Sequence, residues 1–161
     1  MRDDKWLYQL LDNIWDQHFS DVPQDNFVRI VWGRKTRNRL GSIKVDPKDP
    51  EVSIITLNSL FKDSEVPEFV IKATLVHELC HYAHGFNSPL EQKYRHPHAH
   101  GVMRAEFKER GLEVLYVKQR RWLRAYWHIV VEKKLPTRAH SRRIVARKTI
   151  VVPKPFWIIG K

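Results

Sequence analysis

Residues 67–85, PEFVIKATLVHELCHYAHG, carry the pattern that decides how the rest of the chain is read. Pro67 suits the start of a helix, where its missing N–H would have no partner anyway, and Gly85 suits the stop. The spacing predicts a helix from about Pro67 to Tyr82 or Ala83. At 100° per residue, Ile71, Leu75, Leu79 and Tyr82 gather on one side, and Phe86 prolongs that line. Thr74, His77, Glu78 and His81 gather roughly opposite. Val70, Val76 and Ala83 fill the flanks, so the helix is apolar over most of its surface with one polar stripe. Burying two imidazoles and a carboxylate without partners is costly, so the stripe calls for a ligand.

His77 and His81 are four residues apart, about 6 Å along a helix axis and on one face. Two imidazoles so placed can share one Zn²⁺ at ~2.0–2.1 Å. Glu78, one residue on, is turned ~100° away. It can reach the open coordination position without binding the metal, and can take a proton from a water that the metal activates. The chemistry this predicts is hydrolysis of peptide bonds, with zinc as cofactor and Glu78 as general base and then proton donor. Cys80 is the chain's one cysteine, which rules out an internal disulfide and any Cys-pair zinc site within the chain. It reads as a small buried hydrophobe packed under the site.

A catalytic zinc needs a third protein ligand, and the downstream candidates are His84, His96, His98, His100 and Glu106. His84 stands two turns above His77, some ~10 Å along the axis, too far to share the ion if the helix continues. Spacing also excludes the metzincin pattern, since His84 occupies its glycine slot and Asn87 its third-histidine slot. The residues by themselves leave the other four open.

Around this helix the chain reads as an α+β domain. Residues 4–19 have helical apolar spacing. Phe27–Trp32, Leu40–Val45 and Val52–Leu57 read as strands, with a basic loop Arg34–Arg39 and a turn Asp46–Pro50 between them. Short connections predict a small, mainly antiparallel meander packed on helices, with Val52–Leu57 as the edge that takes an extended substrate by strand addition. Val102–Arg110 reads as a helix stopped by Gly111, Leu112–Val117 as a short strand, and Trp122–Val131 as helix-compatible.

Charge divides the chain. Residues 1–117 hold 16 Lys/Arg against 17 Asp/Glu, whereas residues 118–161 hold 13 Lys/Arg against one acid, Glu132. The boundary expected on this basis separates a catalytic domain, 1–117, from a basic, aromatic-rich extension, 118–161. Arg120, Arg121, Arg124, Arg142, Arg143, Arg147 and Lys148, interleaved with Trp122, Tyr126 and Trp127, suit phosphates and unpaired bases. Arg34, Lys35 and Arg37 can add to the same surface. The partners expected are a protein or peptide substrate and DNA, single-stranded or damaged. No apolar run approaches the ~18 residues of a membrane span, and residues 1–5 do not read as a signal peptide. The expected location is cytoplasmic, near the nucleoid if DNA is bound. The rival reading is a nucleic-acid-binding protein with a structural zinc and no peptidase activity.

Several of these features together resemble the SprT-like zincin domain family of metalloproteases, which includes bacterial SprT and the eukaryotic Spartan. They are Trp32-Gly33 with the basic run Arg34–Arg39 and Gly41, Ser53–Leu57 with Asn58, Pro67 leading into His77-Glu78-Leu79-Cys80-His81, and His100-Gly101 opening a helix. The resemblance covers the first helix to about Val114. It implies a zincin-like fold, a zinc peptidase activity directed at DNA-crosslinked proteins, and His100 as third ligand beside His77 and His81.

Overall fold

A computed structural model describes residues 2–135, the side chain of His100 excepted. The architecture is mixed α+β: a three-stranded sheet packed against helices. Helix α1 (Asp4–His18) is capped by Asp3, whose carboxylate accepts from the Trp6 N–H at 2.8 Å. It buries Leu7, Leu10, Leu11 and Ile14, the face its apolar spacing marks out. Trp6 stacks on Trp32 and Trp15 meets Tyr82 edge-on, which ties α1 to the sheet and to the next long helix.

Strands β1 (Phe27–Trp32), β2 (Gly41–Asp46) and β3 (Asp49–Leu57) lie in the order β1-β3-β2. β2 and β3 form an antiparallel hairpin, but β1 runs parallel to β3, with Phe27 opposite Val52 and Trp32 opposite Leu57. The sheet is therefore mixed, not the mainly antiparallel meander expected from the short connections. The cause lies in the basic loop. The Gly33 N–H donates to the Leu57 carbonyl, and the Asn58 side-chain amide donates to the carbonyls of Thr36 and Arg39. These bonds lead the chain across the end of β3, so that it returns on the far side as β2. Alternating hydrophobicity marks each strand but not its neighbour.

Helix α2 (Glu68–Ala83) begins after Pro67, and its flank and apolar positions are buried together with Thr74, Glu78 and His81. It ends as predicted at Gly85, which has φ +77°; the Gly85 N–H bonds to the Tyr82 carbonyl and the Phe86 N–H to that of His81. Helix α3 (Val102–Glu109) lies between Gly101 and Gly111. Helix α4 (Glu113–Trp122) then occupies the stretch that reads as a strand at 112–117. Leu112, Leu115 and Tyr116 pack on the core, while Val114 is 80% exposed. An uninterrupted apolar run hides that three-to-four spacing.

α4 passes through position 117 without a break and continues by a π-helical turn (Leu123–Trp127) into α5 (His128–Lys134). Val130 and Val131 of α5 are buried, Lys134 pairs with Asp63, and Trp127 packs edge-on against Phe61. The Trp127 indole N–H also donates to the Arg37 carbonyl at 2.8 Å, which fastens the basic loop to the α4–α5 arm. Among the described residues no helix is long and apolar enough to cross a membrane.

Candidate metal centre

α2 supplies the first two groups of the site. The Nε2 atoms of His77 and His81 are 3.2 Å apart. Two nitrogens bound tetrahedrally to one zinc at ~2.0–2.1 Å would stand about 3.3 Å apart, so this pair needs almost no adjustment to share an ion. The third group comes from the loop after α2. The ring of His98 stacks on His77 at 5.2 Å and meets His81 edge-on at 4.8 Å. One ligating nitrogen from each of the three histidines lies within 4.8 Å of the others.

His98 reaches this place because the loop is folded back along the end of α2. The Ser88 hydroxyl donates to the Tyr82 carbonyl, the Lys93 N–H donates to the His84 carbonyl, and Tyr94 packs edge-on against the His84 ring. At Gly85 the returning backbone passes so close that a Cβ would lie 2.4 Å from the Glu91 carbonyl oxygen. His96 is exposed. His100 belongs to the 3-10 turn Ala99–Gly101, and its side chain lies outside the described residues. The histidine that the described structure brings to the pair is thus His98, two positions before the one expected from the resemblance.

Burial sets the protonation of His77 and His81. Desolvation, then the neighbouring His98 and Arg120, hold His77 down at about 4; desolvation and the other histidines hold His81 at about 3. Both rings are therefore neutral at physiological pH and offer lone pairs. A set of three imidazoles suits zinc or a similar transition metal, not magnesium or calcium, which take oxygen ligands. Burial pushes the Glu78 carboxyl up to about 8, against the pull of Arg39. Bringing a dication to the three histidines would shift Glu78 back toward its charged form.

Glu78 has room only because of a glycine across from it. A Cβ on Gly41 would sit 2.7 Å from Glu78 Oε1 and 2.9 Å from the Thr74 methyl. Gly41 opens β2, so the start of that strand lies directly against the polar stripe of α2. Val52–Leu57, the edge expected to bind substrate, is instead the sheet's central strand, hydrogen-bonded on both sides. The edge that flanks the histidines is β2, through Gly41 to Lys44.

The histidines and Glu78 stand at the meeting of two open lobes. One, of about 440 Å³, runs along β2; the other, of about 620 Å³, lies between the Arg39 loop and α4. A protein ion enclosed in a structural site would face no such space.

Glu106, a candidate ligand by sequence, is engaged elsewhere. One carboxylate oxygen bonds His84 Nε2 at 2.8 Å and the other the Arg110 guanidinium at 2.7 Å. The His84 hydrogen bond and then Arg110 hold the Glu106 carboxyl at about 2, against its partial burial. Arg110 goes on to Asp21 and to the His18 carbonyl. Cys80 is fully buried, its thiol pushed up by desolvation, as a packing residue would be.

Of the residues expected to bind nucleic acid, Arg34 and Lys35 are exposed on the loop, and Arg120, Arg121 and Arg124 on the α4 side. Arg37 is half-buried and donates to the Leu135 carbonyl. Arg142, Arg143, Arg147 and Lys148 lie outside the described residues. Gly41 and Arg39 lie in the stretch that carries the resemblance, but the sequence assigns neither a part in the site, because their approach to Glu78 is non-local. Comparison of the chain with protein-family models, curated proteins and solved structures found no match.

Proposed function

We propose that the chain is a zinc-dependent metallopeptidase of zincin-like, SprT-like type, with His77, His81 and His98 as ligands and Glu78 as general base. The observation that carries this reading is the convergence of three imidazoles beside a buried carboxyl on the floor of an open cleft. Zinc, when bound, supplies a Lewis acid that polarises the peptide carbonyl and lowers the pKa of water. Glu78 Oε1 accepts a proton from the attacking water and returns it to the leaving amine. The main chain of β2 offers its free edge to an extended peptide, which orients the scissile bond over the histidines. Against a purely structural zinc stands Glu78 itself, since a closed structural site has no use for a non-ligating carboxylate held in a desolvated position. DNA as a partner rests on the basic composition of residues 118–161, whose described part exposes Arg121 and Arg124.

The test is cleavage of casein by zinc-loaded protein, with and without single-stranded DNA, compared with Glu78→Gln. The expected outcome is equal zinc content in both proteins and loss of cleavage by about a thousandfold in the variant, the scale at which removal of a catalytic proton-transfer group is felt. Zinc-loaded wild type that cuts no faster than Glu78→Gln contradicts the proposal.

A further inference from the structure

The two lobes of the cleft differ in charge. In the lobe between the Arg39 loop and α4 the lining cations are Arg39, Arg104 and Arg120, and the one lining carboxylate is Glu78. Arg104 is already matched, donating to Glu113 at 2.8 Å. Arg39 and Arg120 are exposed, and among the described residues neither forms a salt bridge. They line that lobe together with His77 and Glu78, Arg39 from the loop and Arg120 from α4.

Both walls are braced. The Arg39 carbonyl accepts from the Asn58 amide at 2.8 Å and from the Thr36 hydroxyl at 2.7 Å. Gln119, the residue before Arg120, is buried and donates to the Thr74 hydroxyl at 2.9 Å, fixing α4 against α2 one turn before Glu78. Two unmatched guanidinium groups held on rigid elements on either side of a cavity make a receptor for one anionic group.

Resting on the peptidase reading, we infer that this lobe is a specificity subsite for an acidic side chain, Asp or Glu, of the substrate, seated between Arg39 and Arg120 within a few residues of the scissile bond. A nucleic-acid phosphate is the competing anion. A strand lying between Arg39 and Arg120 would cover His77 and Glu78 and bar the peptide from them. Arg121, on α4, and Arg124, in the π-helical turn that follows it, carry no such conflict.

The test has two arms on the full-length zinc-loaded protein. In the first, cut sites in a mixed peptide library are read by mass spectrometry, and paired peptides differing only by Glu against Gln are compared. An acidic preference of about tenfold or more in kcat/KM is expected, as for a hydrogen-bonded ion pair in a cleft. Its collapse or reversal is expected in Arg39→Glu and Arg120→Glu. In the second arm, a labelled acidic peptide is bound to Glu78→Gln and to the same protein carrying Arg39→Glu, by fluorescence anisotropy. Affinity is expected to fall about tenfold or more with the added substitution. Cleavage with no acidic preference, indifferent to both reversals, overturns the subsite and leaves the peptidase standing. No cleavage at all, with acidic-peptide binding still dependent on Arg39, removes the peptidase reading and supports the anion site. A single-stranded oligonucleotide that displaces the peptide and loses affinity in the same two variants overturns the inference in favour of nucleic acid.

Discussion

His81 and His84 lie three residues apart on one helix end and have opposite fates. His81 points to the cleft, where its Nε2 meets that of His77 and the ring of His98, with no carboxylate among the three. His84 points into the domain, where Glu106 takes its Nε2 and Arg110 and Asp21 complete a chain of charges. Both are buried, but the rings around His81 have no carboxylate among them, whereas His84 is ion-paired through Nε2 to Glu106, its buried Nδ1 alone left without a partner. A histidine's role is set by what its neighbours leave unsatisfied, not by its burial. The matched cluster braces the end of α2 against α3 and α1; the unmatched one is free to hold an ion.

The sharpest way to break this contrast is to exchange the two histidines' losses. His81→Ala should reduce zinc affinity by a factor of about a thousand or more, whereas His84→Gln should change it only a few-fold, both read by competition with a zinc chelator. Similar losses for the two would erase the distinction. Glu106→Ala acts on the other cluster. It leaves Arg110 without its buried partner and only the exposed Asp21 as counter-charge, and chemical denaturation should show a loss of about 3 kcal/mol with zinc affinity nearly unchanged.

Acid should separate the clusters in the metal-free protein. His77 and His81 are held near 4 and 3, below the ordinary 6.5, so the unfolded chain binds more protons below that value. Their contribution is fully present above about pH 6.5 and drains away as pH falls toward 4 and then 3. Between pH 6.5 and 5.5 the two rings lose about 2 kcal/mol, while the Glu78 carboxyl, held at about 8, gains about 1 kcal/mol over the same interval, so the full loss is read in Glu78→Gln. Glu106, held at about 2 against an ordinary 4.5, adds its own loss only below about pH 4.5. Stability of Glu78→Gln that stays flat from pH 6.5 to 5.5 would mean the two rings are solvated. Gly41→Ala is the mildest change. The added methyl group must displace the Glu78 carboxylate, so cleavage should fall about tenfold while zinc content stays the same. An unchanged rate would show that Glu78 needs no such fit.

What the sequence made legible was local. The α2 stripe, its stop at Gly85 and the His77-Glu78-His81 constellation all lie within five helical turns, and the 3.6-residue period alone arranges them. The third histidine of the cluster was not legible in the same way. His96, His98 and His100 alternate in one loop, and which of them faces His77 depends on how the Ser88, Lys93 and Gly85 contacts return the chain. Strand order escaped for a similar reason: the Asn58 amide that turns the loop after β1 acts across 19 to 22 residues. The helix α4 was misread because a run of apolar residues has no visible period until Val114 is known to face solvent.

The most direct measurement of the central claim is an anomalous difference map collected at the zinc edge from crystals of the zinc-loaded protein. The account predicts one peak bonded to His77, His81 and His98, with Glu78 beside it and unbound. A peak ligated by His100 in place of His98, or density at His84 and Glu106 with none between His77 and His81, would contradict it.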